Sequence, residues 1–277
     1  MTRRLLGVFA HPDDESFGPA GTLAVHSTAG VDVHIVTMTD GAAGAPADGY
    51  PEGDELAAIR RDELQAAARE LGATVHHLPY RDSGFVGDPR NEDPRAFINL
   101  DPGEPTTALV SLLREIRPDV VLTHDEQGGY HHPDHIRTHE VVRAAFDAAG
   151  DPTRYVDRGT PFRPARLYSE TRSNRWIKVA CRLMRLVGRD PTRIGVNRDV
   201  DLTRVGMDPA RITTRIDVRT GWSAKKAASA RHRSQRGDTG PMGRTPTWLL
   251  ASTMPWELFI REVPAPWPGL RERSLFE

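Results

Sequence analysis

The chain has 277 residues, 38% hydrophobic and 27% charged, with a formal net charge of -1, which excludes a disordered chain, a coiled coil and a general nucleic-acid binder. A single cysteine, Cys181, excludes a disulfide framework and a cysteine-rich metal site and fits a reducing compartment. No apolar run reaches the ~20 residues of a membrane span, and the start lacks the apolar centre of a signal peptide, so the expected location is the cytoplasm.

The first predicted element is a buried parallel strand at Leu5–Ala10, ending in His-Pro-Asp-Asp-Glu. A helix between Gly18 and Gly30 and a second strand over Val31–Met38 follow, then a loop rich in Gly, Ala, Pro and Asp. Asp54–Leu71 is the clearest helix, with Leu56, Ile59, Leu64, Ala67 and Leu71 near one stripe and Gly72 as its stop. Strands are expected at Thr74–Leu78 and Val120–Thr123 and helices at Pro105–Ile116 and Pro133–Ala149, the last with proline in its first turn.

The alternation of strand and helix predicts an α/β fold, a Rossmann-like mostly parallel sheet with helices on both faces. Polar motifs follow strand ends, where such sheets place ligands. No G-x-G-x-x-G follows the first strand, so a dinucleotide site of the usual kind is not expected. The organisation expected is a metal-site core over residues 1–150, with residues 151–277 as the C-terminal part of the same domain, completing the pocket. There, Arg166–Ser169, Ile212–Val218 and Glu257–Arg261 read as strands and Ala224–Arg233 as a helix. Asn174–Val187 is basic and amphipathic, and residues 171–200 carry eight Lys/Arg against two Asp. It reads as a helix capping the sheet, a partner face, a wall for an anionic ligand, or a place of peripheral membrane contact.

Six of the eleven histidines lie in two segments: His11, and His124, His131, His132, His135 and His139. Imidazole with carboxylate suits zinc, which in catalytic sites takes about three protein ligands and keeps one position open. His11 and Asp14 are three apart on a tight turn, and His132 and His135 three apart at a helix start, so each pair can face one point. Two such pairs would supply more groups than one ion needs, leaving others for proton work. Asp134 is expected to orient a ligand histidine. Glu15 reads equally as a helix-start acid or a supporting partner, His124 as a possible strand cap, and His232 as structural.

Ala-His-Pro-Asp-Asp-Glu after the first strand, with His132-Pro133-Asp134-His135 opening a later helix, resembles the LmbE-like zinc deacetylases, also called the GlcNAc-phosphatidylinositol de-N-acetylase family. The resemblance covers residues 4 to about 149 and returns at Arg231–Gln235 and Trp256–Phe259. It implies His11, Asp14 and His135 as zinc ligands, with iron(II) as an alternative metal. Asp13 matches the general base, His132 the protonated histidine that steadies the oxyanion, and Tyr130 a mobile tyrosine near it. Arg60 and Asp82 match residues that grip the sugar. The implied activity is hydrolysis of the acetamide of an N-acetylglucosamine-type conjugate to amine and acetate, and the mycothiol branch of the family is the most similar by Ile59–Glu63 and Gly128–His139. Cleavage of mycothiol-type thiol conjugates, tailoring of an antibiotic or glycolipid, and a sugar-binding module without chemistry are the alternatives. A small amino-sugar substrate and a homo-oligomer are the expected partners. One departure is Phe17-Gly18, where the mycothiol enzymes carry a polar side chain near Gly18.

Overall fold

The computed structural model describes residues 2–194 and 200–277. In chain order the first half contains β1 (Arg4–Phe9), α1 (Asp14–Phe17), α2 (Ala20–Thr28), β2 (Asp32–Thr39), α3 (Gly53–Leu71), β3 (Ala73–Tyr80), α4 (Gly103–Ile116), β4 (Val120–His124), α5 (Gly128–His131) and α6 (Pro133–Ala149). The second half adds β5 (Arg166–Thr171), α7 (Asn174–Leu186), β6 (Thr214–Asp217), α8 (Trp222–Ser229), α9 (Pro241–Arg244), α10 (Thr247–Thr253) and β7 (Trp256–Val263). Among the described residues no helix is long and apolar enough to cross a membrane.

Among the described residues seven strands form one sheet in the order β3-β2-β1-β4-β5-β7-β6. The pairings from β3 through β5 are parallel, whereas β7 runs antiparallel to both β5 and β6. Alternation along β1 explains its two-sided burial. Leu5 and Phe9 enter a core with Leu23, Ala67, Leu71 and Trp222, while Leu6 and Val8 enter another with Leu109, Leu113, Val142 and Phe146. Helices α2, α3 and α8 thus cover one face, and α4 and α6 the other. The sheet is of the mostly parallel α/β class that strand and helix alternation predicts.

Several boundaries differ from the sequence reading for local reasons. The helix expected between Gly18 and Gly30 is α2, which starts after Pro19, and a further short helix, α1, precedes Gly18. Gly72 ends α3 as expected, in the left-handed conformation with φ 64. The last strand is longer than Glu257–Arg261 and antiparallel, a pairing that strand propensity alone does not disclose.

The strand order positions the site. From β1 the chain moves outward to β2 and β3, then returns to place β4 on the other side of β1, in register at Leu5–Val120. The carboxyl ends of β1 and β4 therefore lie side by side at the point where the winding reverses, the crevice where such sheets bind ligands.

Candidate active site

The turn after β1 carries His11, Asp13 and Asp14, and the segment after β4 carries Tyr130, His132, Asp134 and His135. These residues, 110 or more positions apart in the chain, converge. His11 Nδ1 lies 3.4 Å from Asp14 Oδ2 and 3.3 Å from His135 Nε2, and His135 Nε2 lies 3.3 Å from Asp14 Oδ1. Bonds of about 2.0–2.2 Å to a tetrahedral ion put its ligands about 3.3–3.6 Å apart, so this triangle has the dimensions of a metal face. The wider donor set interlocks as His11, His132 and His135, as Asp14, His124 and His135, and as His11, Asp82 and Asp134, each group within 4.8 Å.

The surrounding charge fits a cation as well. Burial opposes protonation of His11, yet Asp82, Asp134 and Asp14 outweigh it and hold the ring well above the usual histidine range. The carboxylates that draw a proton onto His11 would equally favour a divalent ion. His11 Nε2 faces outward to Asp134 Oδ2 at 3.1 Å and Asp82 Oδ1 at 3.5 Å, the carboxylate–histidine arrangement that fixes a ligand ring. Asp134 also accepts the Ser83 N–H at 2.9 Å. The structure thus gives Asp134 the orienting position expected of it.

Asp13 stands beside this triangle. Its φ of 128 is a conformation that non-glycine residues rarely adopt. Two contacts hold it there, one of them braced from behind. Its N–H donates to Glu15 Oε2 at 2.9 Å, and its Oδ2 lies 3.1 Å from Arg60 Nη2. Glu15 Oε1 in turn meets His232 Nε2 at 2.7 Å, both side chains wholly buried. Burial raises the Asp13 carboxyl to about 6, against the opposing pull of Arg60 and with Asp14 adding to the rise.

His132 caps α6: its Nδ1 accepts the Asp134 N–H at 3.2 Å. With Nδ1 an acceptor, the ring proton sits on Nε2. Burial, then the neighbouring His11 and His135, hold His132 well below the usual histidine range. Tyr130 stacks on Phe85 with centroids 5.9 Å apart and sets its edge against His135 at 5.3 Å. Its turn needs glycine: Gly128 has φ 63, and a Cβ there would meet Ile136 Cγ1 at 2.8 Å.

Arg60 and Asp82 line the pocket but have internal partners. Arg60 donates to Gly41 O and Pro12 O, both at 2.6 Å, besides facing Asp13. Asp82 accepts from Ala43 N–H at 3.1 Å and Gly84 N–H at 2.9 Å. Both therefore shape the site through the protein itself, Arg60 at the base and Asp82 behind His11.

Sequence reasoning underrated four residues. His124 is buried, stacks on His135 with centroids 3.9 Å apart, and accepts the Ala10 N–H on Nε2 at 3.0 Å. Its Nδ1 faces Glu170 Oε1 of β5 at 3.3 Å. Glu170 also fills the space that a side chain at Gly18 would take, which accounts physically for glycine there. Glu15 and His232 form the buried pair behind Asp13. The clustering of His124 with the later histidines was the available signal; the other three depend on partners far away in sequence.

Two cavities of about 320 and 310 Å³ meet over Asp13, Asp14 and Tyr130. One is walled by Phe17, Glu170, Leu202 and Val205, the other by Arg60, Asp82, Phe85, His132 and Gln235. Together they offer room for a small ligand over the donor triangle.

Comparison with known proteins identifies the family. The PIG-L family, described as GlcNAc-PI de-N-acetylase, matches residues 6–146. The 1D-myo-inositol 2-acetamido-2-deoxy-alpha-D-glucopyranoside deacetylase of Streptomyces avermitilis is 37% identical over 289 residues, spanning 99% of this chain and 97% of its own. Among solved structures, the N,N'-diacetylchitobiose deacetylase of Pyrococcus horikoshii is 25% identical, with a TM-score of 0.59, covering 84% of this chain and 70% of that one. The 4-carboxy-2-hydroxymuconate hydratase of Pseudomonas putida KT2440 shares the fold at 18% identity, with a TM-score of 0.64 over 97% of this chain and all 100% of that one. A family match over half the chain, and a relative aligned nearly end to end, place this chain in the PIG-L family of de-N-acetylases.

Proposed function

We propose that this protein is a zinc-dependent N-deacetylase that hydrolyses the acetamide of an N-acetylglucosaminyl conjugate, an inositol-linked one by analogy with its relatives, to free amine and acetate. The observation that carries the reading is the triangle of His11, Asp14 and His135 with a separate, high-pKa carboxylate beside it.

His11, Asp14 and His135 would hold the ion. When bound, it would lower the pKa of a water and polarise the acyl carbonyl. Asp13, beside the triangle and raised to about 6, takes a proton from the attacking water. His132, its Nδ1 engaged by the Asp134 N–H, donates from Nε2 to the carbonyl oxygen as negative charge develops there. Asp13 then returns its proton to the departing amine, so the carboxyl ends the cycle ionised. Tyr130 and Phe85 give the pocket an aromatic wall against a sugar face. Asp134 and Asp82 keep His11 in one orientation throughout.

The test is amine release from N-acetylglucosaminyl-inositol, N-acetylated thiol conjugates and lipid-linked N-acetylglucosamine, before and after chelation. Activity on an N-acetyl sugar, lost with the metal and restored by zinc, is expected. Amine release that survives complete stripping of metal overturns the mechanism, and turnover of none of these amides overturns the substrate class.

A further inference from the structure

Helix α7 (Asn174–Leu186) takes no part in the chemistry above, yet it presents an unusual surface. Cys181 is buried against the body, with Ile177 and Met184 half-buried beside it. The next arc of the helix points outward and is apolar: Trp176 is 71% exposed, Leu183 58%, Leu186 81% and the following Val187 73%. At 100° per residue these four side chains form one stripe. Arg175, Lys178, Arg182 and Arg185 occupy the adjoining arc, all exposed. No acidic residue lies between Arg172 and Arg189. Isolated exposed apolar residues are ordinary, but a contiguous stripe on one helix marks a contact surface.

The charge selects the occupant. A second copy of this face would set basic arc against basic arc with no carboxylate to compensate. An apolar stripe with tryptophan, flanked on one side by arginine and lysine, instead matches the boundary between acyl chains and anionic headgroups. We infer that α7 is a peripheral docking element for an anionic lipid surface, with Trp176, Leu183, Leu186 and Val187 entering the interface and the basic arc lying against the headgroups.

The position of the helix connects docking to the pocket. Asn174 N–H donates to Met207 O at 2.9 Å, and Ser173 pairs with Met207 as a parallel bridge. The same returning segment contributes Leu202, Val205 and Gly206 to the wall of the larger of the two active-site cavities. A protein lying on a membrane through α7 would therefore hold that wall near the lipid surface. Of the basic segment read from the sequence, residues 195–199 lie outside the described residues, and nothing in this inference uses them.

The experiment is co-sedimentation of the whole chain at low salt with two kinds of vesicle, phosphatidylcholine alone and phosphatidylcholine mixed with phosphatidylglycerol. Binding only to the mixed vesicles, weakened by salt, is expected, with a blue shift in tryptophan emission that Trp176→Phe reduces. Leu183→Gln with Leu186→Gln should lower the partition coefficient by about tenfold or more, as should Lys178→Glu with Arg185→Glu. Because all four side chains are exposed, hydrolysis of a soluble N-acetyl sugar and the melting temperature should stay unchanged in both variants. Absence of binding to the mixed vesicles overturns the proposal, as does equal binding by either double variant. A change of oligomeric state in the leucine variant, read by analytical ultracentrifugation, overturns it in favour of a second copy on this face. The readout is independent of turnover, so its failure is distinct from failure of the deacetylase reading.

Discussion

The two turns that build the site are held by different means. The turn after β4 is largely self-supporting. Asp125 Oδ1 accepts the N–H groups of Gln127 and Gly129, His132 caps α6 through Nδ1, and Gly128 and Gly129 supply two of the three positive φ values, the third being at His131. The turn after β1 also has local bonds, from His11 N–H to Asp14 Oδ2 at 2.8 Å and from Asp13 N–H to Glu15 Oε2 at 2.9 Å, but the Asp13 carboxylate and Glu15 are held by distant partners. Arg60 comes from α3, and His232 arrives from beyond α8 to brace Glu15. A residue in so rare a backbone conformation costs of order 1–3 kcal/mol and persists only where its surroundings over-determine it. The start of α6 is held by its own local sequence, whereas the Asp13 carboxylate, the proposed base, is braced by Arg60 and, through Glu15, by His232 of the C-terminal part.

The sharpest way to break this contrast is at Asp13 itself. Asp13→Asn should lower kcat by about 10²–10⁴-fold while leaving zinc content unchanged. The sign of its pH dependence follows from the raised carboxyl. Below about 6 the group holds a proton and cannot accept another, so the pH profile of kcat/KM should rise through an acid limb at or below about 6. A bound cation would move that limb lower. Loss of metal in the asparagine variant, measured by elemental analysis, would place Asp13 among the ligands instead.

A smaller loss, about 10²–10³-fold, is expected for His132→Asn. Asparagine is a good helix cap, so the melting temperature should hold while the oxyanion donor disappears. A fall in both would mean that the substitution acts through α6, and the catalytic assignment of His132 would fail.

The mildest effect belongs to the bracing pair. Glu15→Gln should cost about 10–100-fold in kcat, the range of other residues that orient catalytic groups from behind, and should shift the acid limb because the surroundings of Asp13 change. The nearly isosteric glutamine keeps an acceptor for the Asp13 N–H. His232→Gln should resemble it in direction. A drop in stability with an unmoved pH profile would show that the pair serves the fold and leaves the base alone.

Residue spacing made the pairs His11/Asp14 and His132/His135 legible, because each pair shares a turn and its geometry is local, while the role of Asp13 came from the family resemblance. Strands β1 to β4 and helices α3, α4 and α6 were legible for the same reason, through apolar periodicity and the prolines and glycines at their ends. Arg60, Asp82, Glu170 and His232 were harder. Their function depends on which long-range partner claims their polar atoms, and a sequence states the donors of Arg60 without stating that Pro12, Asp13 and Gly41 receive them.

The amino-acid sequence by itself determined the α/β class, the two turns rich in histidine and aspartate and the chemistry their side chains can perform, since helix and strand periods and the reach of three-residue spacings are short-range properties. Tertiary structure alone decided that the two turns meet where the sheet reverses its winding, that β7 closes the sheet antiparallel, and that Glu170 and His232 join the site. Those outcomes depend on how strands order themselves and on which buried polar groups must find one another once water is excluded.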